Sequence, residues 1–148
     1  MNAPKPSRTA TFTRVVLPFA LIPPLMIVFA MRSHPEAYRL SAASANWEWI
    51  ASMIFVAELV SVEIVAGMLR LTTPAGGTDL TPEQAYALAA HAASPLWSSA
   101  VVLAIPSLAA LVVVQVLAHL VSVRALYRQL RVQLRIDADI EALHITYM

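Results

Sequence analysis

Charged residues are spaced so unevenly along this chain that long stretches carry none. Arg14 and Arg32 enclose 17 uncharged residues, and Glu83 and Arg124 enclose 40. At a rise of about 1.5 Å per residue, these stretches form roughly 26 Å and roughly 60 Å of helix. Because the hydrocarbon core of a bilayer is about 30 Å thick, the two lengths correspond to one membrane crossing and two crossings.

A further apolar stretch lies between these two. Glu48 and Arg70 enclose 21 residues, interrupted only by Glu58 and Glu63, and this stretch forms roughly 32 Å of helix. The composition agrees, because 59% of the residues are hydrophobic and 13% are charged, whereas about 25% are charged in a soluble domain. The sequence therefore predicts an all-α fold, a polytopic bundle of transmembrane helices.

The stretch of 40 uncharged residues is divided by Pro106, in the segment LAIPSLAA. Proline lacks the backbone N–H and tends to end or kink a helix, but it is tolerated where a new helix begins. One interpretation is a hairpin that turns at Ile105-Pro106-Ser107, and the other is a single long kinked helix. We favour the hairpin, because one crossing cannot bury the whole stretch.

Four spans are thus predicted, at about 15–31, 49–69, 84–104 and 108–123. They form a membrane domain over 15–123, which follows a basic segment (1–14) and precedes a tail with a stripe of arginines (124–148). The order Thr81-Pro82-Glu83-Gln84 is typical of a helix start, with a Thr N-cap and Gln at the third position. Trp47 and Trp49 suit an interfacial anchor for the second span.

Lys and Arg counts support four spans over three. With four spans and the N-terminus inside, 8 basic residues lie inside and 2 outside, whereas three spans would place 4 inside and 6 outside. The inside set is Lys5, Arg8, Arg14, Arg70, Arg124, Arg128, Arg131 and Arg135. Since cytoplasmic loops carry the excess of basic residues, we expect a bacterial inner-membrane protein with both ends in the cytoplasm.

The first 30 residues also have some features of a secretory signal peptide, with small residues around Val28-Phe29-Ala30. Pro18, Pro23 and Pro24 interrupt the apolar run of that segment. The rest of the chain is also rich in membrane-spanning sequence, so we expect the segment to stay as the first span.

Several parts of the chain resemble the bacterial Yip1 family of small polytopic membrane proteins: VVLPFALIPPLMIVFA, FVAEL, LAAHAASPLWSSAVVLAIPSL and the arginine-rich tail. The Leu-Pro-Phe…Pro-Pro pattern and the Ser-Pro-Leu-Trp segment carry the resemblance, which covers most of the chain from Val15 onward. Family members usually have five spans, so the resemblance implies a member without the usual last span. It implies a membrane scaffold or interaction protein and no reaction.

Glu58 lies near the middle of the second span, where a charged side chain costs about 2.5–3.5 kcal/mol on insertion scales. One interpretation is a proton or cation relay, in which Glu58 is the coupling group of a small transporter or channel component. The other is a neutral carboxyl group that hydrogen-bonds to a neighbouring helix. We favour the second, and expect His91, Gln115 or His119 to be the partner.

Glu63 lies five residues further on, about 140° around the helix, so the two carboxyl groups do not share a face. We expect Glu63 to reach toward water at the inner boundary. His91, Gln115 and His119 show no HExxH spacing, so the sequence predicts interhelical hydrogen bonds and no metal site.

The chain has no cysteine and only 3 glycines, which excludes thiol nucleophiles and a glycine-rich phosphate loop. Ser94, Ser98 and Ser99 lie near His91, but the sequence shows no orienting acid for a catalytic triad. We therefore predict no enzymatic activity, no catalytic residue and no cofactor.

The arginines Arg124, Arg128, Arg131 and Arg135 are spaced 4, 3 and 4 residues apart. This spacing places them on one helical face within about 60°, with Leu126, Tyr127, Leu130 and Leu134 largely opposite. They either anchor the end of the last span by the positive-inside rule or hold a surface helix against anionic headgroups, at about 1 kcal/mol per residue. Both interpretations remain open.

The expected partners are the lipid bilayer and either another membrane protein or a second copy of the chain. No nucleic-acid partner is expected, since the net charge is only +1.

The predicted orientation can be checked with a reporter enzyme that is active only in the cytoplasm. Fused after Met148 it should be active, and inserted within Ser41–Ser44 it should be silent, because an even number of spans places both ends on one side. Activity of the loop insertion would contradict the orientation.

Overall fold

The computed structural model describes residues 7–37, 46–72 and 80–134, and within these ranges it contains four helices that are long and apolar enough to cross a membrane. We call them α1 (Arg8–Ser33), α2 (Trp47–Thr72), α3 (Pro82–Ala104) and α4 (Leu108–Leu134). The predicted class, a polytopic bundle of transmembrane helices, is confirmed. Each helix extends past its predicted span. The spans were predicted from the uncharged stretches, whereas the helices also include charged residues at their ends.

Helix α1 continues through three prolines because its geometry changes beside them. A π-helical turn over Phe12–Val16 comes directly before the segment Leu17–Ala20, in which Pro18 occupies the first turn. Pro23 and Pro24 likewise lie in the first turn of Ile22–Ser33. A proline there loses no helical hydrogen bond, since the first N–H groups of a helical segment have no acceptor within it.

The other helix ends follow local side-chain chemistry. Asn46 accepts a hydrogen bond from the backbone N–H of Trp49 at 3.0 Å, which caps α2. The predicted capping box of α3 is confirmed: Thr81 Oγ1 accepts from Gln84 N at 3.3 Å, and Gln84 Oε1 accepts from Thr81 N at 3.0 Å. These bonds satisfy N–H groups that have no partner within the helix.

The predicted hairpin is also confirmed. α3 is α-helical over Pro82–Ser99 and tightens to a 3₁₀ helix over Ala100–Ala104. The chain then turns through Ile105-Pro106-Ser107, and α4 begins at Leu108. The Ser107 hydroxyl accepts from Ala110 N at 3.3 Å, so the turn supplies the cap of the last helix.

Helix α3 occupies the centre of the bundle. It packs against α1, α2 and α4, whereas α4 packs principally against α3. In the most apolar stretch of α3, 39% of the residues are buried. In the corresponding stretch of α4, only 11% are buried. The buried residues of α3 are mainly alanines, which allow the neighbouring backbones to approach closely.

One hydrogen bond crosses the hairpin from side chain to backbone. The Ser122 hydroxyl on α4 donates to the carbonyl oxygen of Ala92 on α3, and Ser122 is buried. Such bonds between membrane helices contribute about 0.6 kcal/mol on average.

We expect Ser122→Ala to lower the unfolding free energy in detergent by about 0.6 kcal/mol, since the bond between α3 and α4 is lost. Ser98→Ala is the matched control, because the Ser98 hydroxyl donates to Ser94 O within its own helix at 2.7 Å. Equal losses in both variants would show that the bond across the hairpin contributes nothing.

Candidate functional site: the polar groups within the membrane

Glu58 lies near the middle of α2, ten residues from Glu48 and twelve from Arg70. These separations are about 15 and 18 Å along the helix. Its side chain is half-buried, and its Oε2 atom is buried with no hydrogen-bond partner among the described residues. Phe55 and Leu59, on either side of it in the sequence, pack against the hydrophobic core.

Neither His91 nor His119 forms a hydrogen bond with Glu58. The Nδ1 atom of His91 lies 2.6 Å from Ala87 O, and that of His119 lies 2.8 Å from Gln115 O. Since a carbonyl oxygen only accepts, Nδ1 carries the proton in both rings. Both histidines are exposed and bonded to their own helices, so the expected bridge to Glu58 does not form.

Gln115 does make the expected contact between helices, but with a serine of α3. Its Oε1 atom lies 2.8 Å from the Ser99 hydroxyl, which also lies 2.6 Å from Leu96 O. A hydroxyl has one proton, so it can donate to only one of these oxygens. If it donates to Leu96, Gln115 can keep the contact by turning its amide NH₂ toward Ser99.

Glu63 is paired across the bundle. Arg8 Nη2 of α1 bonds to Glu63 Oε1 of α2, and the Arg8 guanidinium carbon lies 5.0 Å from the centre of the Tyr86 ring on α3. The three residues therefore connect three helices through an ion pair and a cation–π contact. The Glu63 side chain is 49% exposed on the surface of the bundle, and its expected place near water stays a prediction.

A second ion pair, between Arg32 and Glu48, connects α1 to α2 at the opposite end of the bundle. Sequence reasoning missed both pairs. In the distribution of Lys and Arg, Arg8 counts as an inside charge and Arg32 as an outside charge, and their partners are 55 and 16 residues away in the chain. The only signal in the sequence was that Glu48 bounds and Glu63 interrupts the second apolar stretch, where a carboxylate needs a basic partner.

The arginine stripe continues the last span without a break. Arg124, Arg128 and Arg131 are exposed on α4, whereas Leu130 on the opposite face is fully buried in the core. The predicted separation of the two faces is therefore present in this helix. Arg135 and the rest of the tail, 135–148, lie outside the described residues.

These polar groups do not converge on one place. Among residues 7–37, 46–72 and 80–134, no three His, Asp or Glu side chains are grouped closely enough to hold a metal ion. Ser94 donates to His91 O at 3.0 Å, so it bonds within its own helix and does not contact the His91 ring nitrogens. The most distinctive polar group is Glu58, since its buried Oε2 atom has no hydrogen-bond partner among the described residues, whereas Glu63 on the same helix is paired with Arg8.

Comparison of the chain with known protein families, with characterised proteins and with solved structures found no match.

We expect Glu58→Leu to raise the unfolding free energy in detergent by about 1 kcal/mol. It removes a buried oxygen that has no partner among the described residues, and burial of such a group is unfavourable. Glu58→Gln should stay near the wild type, and Glu58→Lys should be the least stable, because it places a more basic group in hydrocarbon.

Ala57→Leu is the control for these substitutions, since Ala57 is an exposed neighbour on the same helix and gains only apolar surface. Thermal unfolding of the variants in one detergent gives the order. A Glu58→Leu variant that is less stable than the wild type would show that the carboxyl group has a stabilising partner.

Proposed function

We propose that this protein is a non-enzymatic scaffold or interaction protein of the Yip1 type. In this proposal it resides in a bacterial inner membrane with both ends in the cytoplasm. The resemblance of the Leu-Pro-Phe…Pro-Pro and Ser-Pro-Leu-Trp segments supports the family. The distribution of Lys and Arg, with 8 of the 10 on one side of four spans, supports the orientation.

The observation that carries the proposal is the outer face of α4. Six residues at a helical spacing form a continuous apolar stripe there, and each is more than half exposed. We call it the α4 stripe: Val112, Val113, Val116, Leu117, Leu120 and Val121. Ala118 and Ser122, on the other face of the helix, are buried against α3.

The position of α4 in the bundle makes this stripe available to a partner. α1, α2 and α3 pack together, while α4 is attached principally through α3. Association of helices within a membrane depends on van der Waals packing and on hydrogen bonds, since lipid tails are as apolar as leucine. Aligned branched side chains present such a packing surface to a transmembrane helix of another protein.

The proposal is tested by photo-crosslinking in native membranes. A photoreactive residue at Leu117, which is 55% exposed, should form an adduct with a specific membrane protein. The same residue at Val60 on α2, which is 49% exposed and also near mid-helix, is the matched control and should react only with lipid. Identical adducts at both positions, or lipid adducts alone at both, would contradict the proposal.

A second candidate function is a small transporter or channel component that uses Glu58 as its coupling group. The observation that favours it is the buried Oε2 atom without a hydrogen-bond partner among the described residues. Proton or cation flux should then appear in vesicles containing the pure protein and should be lost in Glu58→Gln. Flux that is absent from the wild type, together with a specific Leu117 adduct, would favour the scaffold.

A further inference from the structure

An apolar groove of about 400 Å³ lies between α1 and α2, away from the α4 stripe. Leu21, Leu25 and Val28 line it on α1, and Ala51 and Phe55 line it on α2. Leu25 is 64% exposed, so the groove lies on the outer surface of the bundle. Within a bilayer, this surface is in contact with acyl chains.

The groove leads into a polar pocket of about 250 Å³ at the end of the bundle. Val28 and Glu48 line both spaces, so the two adjoin at these residues. Met31, Arg32, Asn46 and Trp47 complete the lining of this pocket. An apolar channel that ends in a charged, hydrogen-bonding pocket has the chemical profile of a lipid, with its chain in the groove and its headgroup in the pocket.

The length of the groove fits one leaflet. Its lining on α1 extends from Leu21 to Val28, and Arg32 lies eleven residues from Leu21. That separation is about 16 Å of helix, and half of the hydrocarbon core is about 15 Å. A chain in the groove would therefore extend from the headgroup level to the middle of the membrane.

The charges in the pocket indicate which headgroup fits. Arg32 and Glu48 form an ion pair, yet their side chains remain 71% and 67% exposed. Among the described residues, the pair uses one of the five N–H donors of the Arg32 guanidinium, so donors remain for a phosphate. The carboxylate can accept further hydrogen bonds from an ammonium group. A phosphate and an ammonium together match the two charges of this pair in sign.

We propose that the groove and pocket between α1 and α2 bind one phospholipid with a zwitterionic, primary-amine headgroup of the phosphatidylethanolamine type. The Arg32 guanidinium binds the phosphate, the Glu48 carboxylate accepts from the ammonium, and one acyl chain lies along Leu25, Val28 and Phe55. An anionic headgroup without an ammonium offers Glu48 no positive charge and, as hydrogen-bond donors, at most neutral hydroxyls. A quaternary ammonium has no N–H to donate to it.

The first test uses the full-length wild-type protein, purified in detergent micelles doped with phosphatidylethanolamine, phosphatidylcholine and phosphatidylglycerol in equal amounts. Lipid that stays with the protein is counted by mass spectrometry of the intact complex. We expect one phosphatidylethanolamine per chain, retained about tenfold over the other two lipids, as a hydrogen bond between charged groups predicts. Equal retention of all three would overturn the proposal.

Substitutions in the polar pocket test its role in headgroup binding apart from that of the groove. Glu48→Gln should remove the preference for phosphatidylethanolamine over phosphatidylcholine, and Arg32→Gln should lower retention of all three lipids. Glu83→Gln is the matched control, since it removes an exposed acidic charge from the start of α3 at the other end of the bundle. A loss of preference in Glu83→Gln equal to that in Glu48→Gln would overturn the headgroup assignment.

The role of the groove is tested with two serines of α2, one that lines the groove and one that does not. Ser52 lines the groove and donates to Glu48 O at 2.8 Å, and Ser61 donates to Glu58 O at 2.7 Å. The two lie nine residues apart, on opposite faces of α2, and both are exposed. Ser52→Phe should reduce lipid retention about tenfold while Ser61→Phe leaves it unchanged. Equal retention in the two variants would overturn the site.

Discussion

The fold depends first on the need to satisfy every backbone N–H and C=O group without water. In hydrocarbon an unpaired backbone group costs several kcal/mol, so a spanning segment must form its hydrogen bonds within itself as a helix. α1 shows how strict this requirement is, because it has three prolines and still spans. The π turn before Pro18 and the new helical segment at Pro23 and Pro24 place each proline where its missing N–H is least needed.

A second constraint decides which helix lies inside. Leucine gains little by moving from lipid to a protein interior, so apolar character does not sort helices in a membrane as it does in water. The least apolar of the four spans, α3, is the most buried. Its alanines permit close approach on three sides, and Ser99 and the carbonyl oxygen of Ala92 bond to α4. The more uniformly apolar α4 lies at the edge, which leaves its stripe exposed.

Two carboxylates of α2 are paired near the ends of the bundle, and a third carboxyl group, that of Glu58, lies near mid-helix. The pair of Arg8 with Glu63 and that of Arg32 with Glu48 fasten α1 to α2 near both ends. Between them, the apolar surfaces of the two helices leave the groove open on the lipid side. Glu58 has no such partner among the described residues, so its carboxyl group is a candidate for a functional role as well as a feature of the fold.

The sequence by itself determined the helical class, the four spans, the turn at Pro106 and the capping box at Thr81. Each of these depends on local quantities: the apolar length between charges, the missing N–H of proline and the reach of a side chain over one helical turn. The tertiary structure alone decided that α3 is central, that Glu63 pairs with Arg8 and that His91 does not reach Glu58. A span that is apolar on every face gives no signal of which face packs inside the bundle. The pair of Glu63 with Arg8 joins residues that are distant in the sequence and meet only when the helices pack.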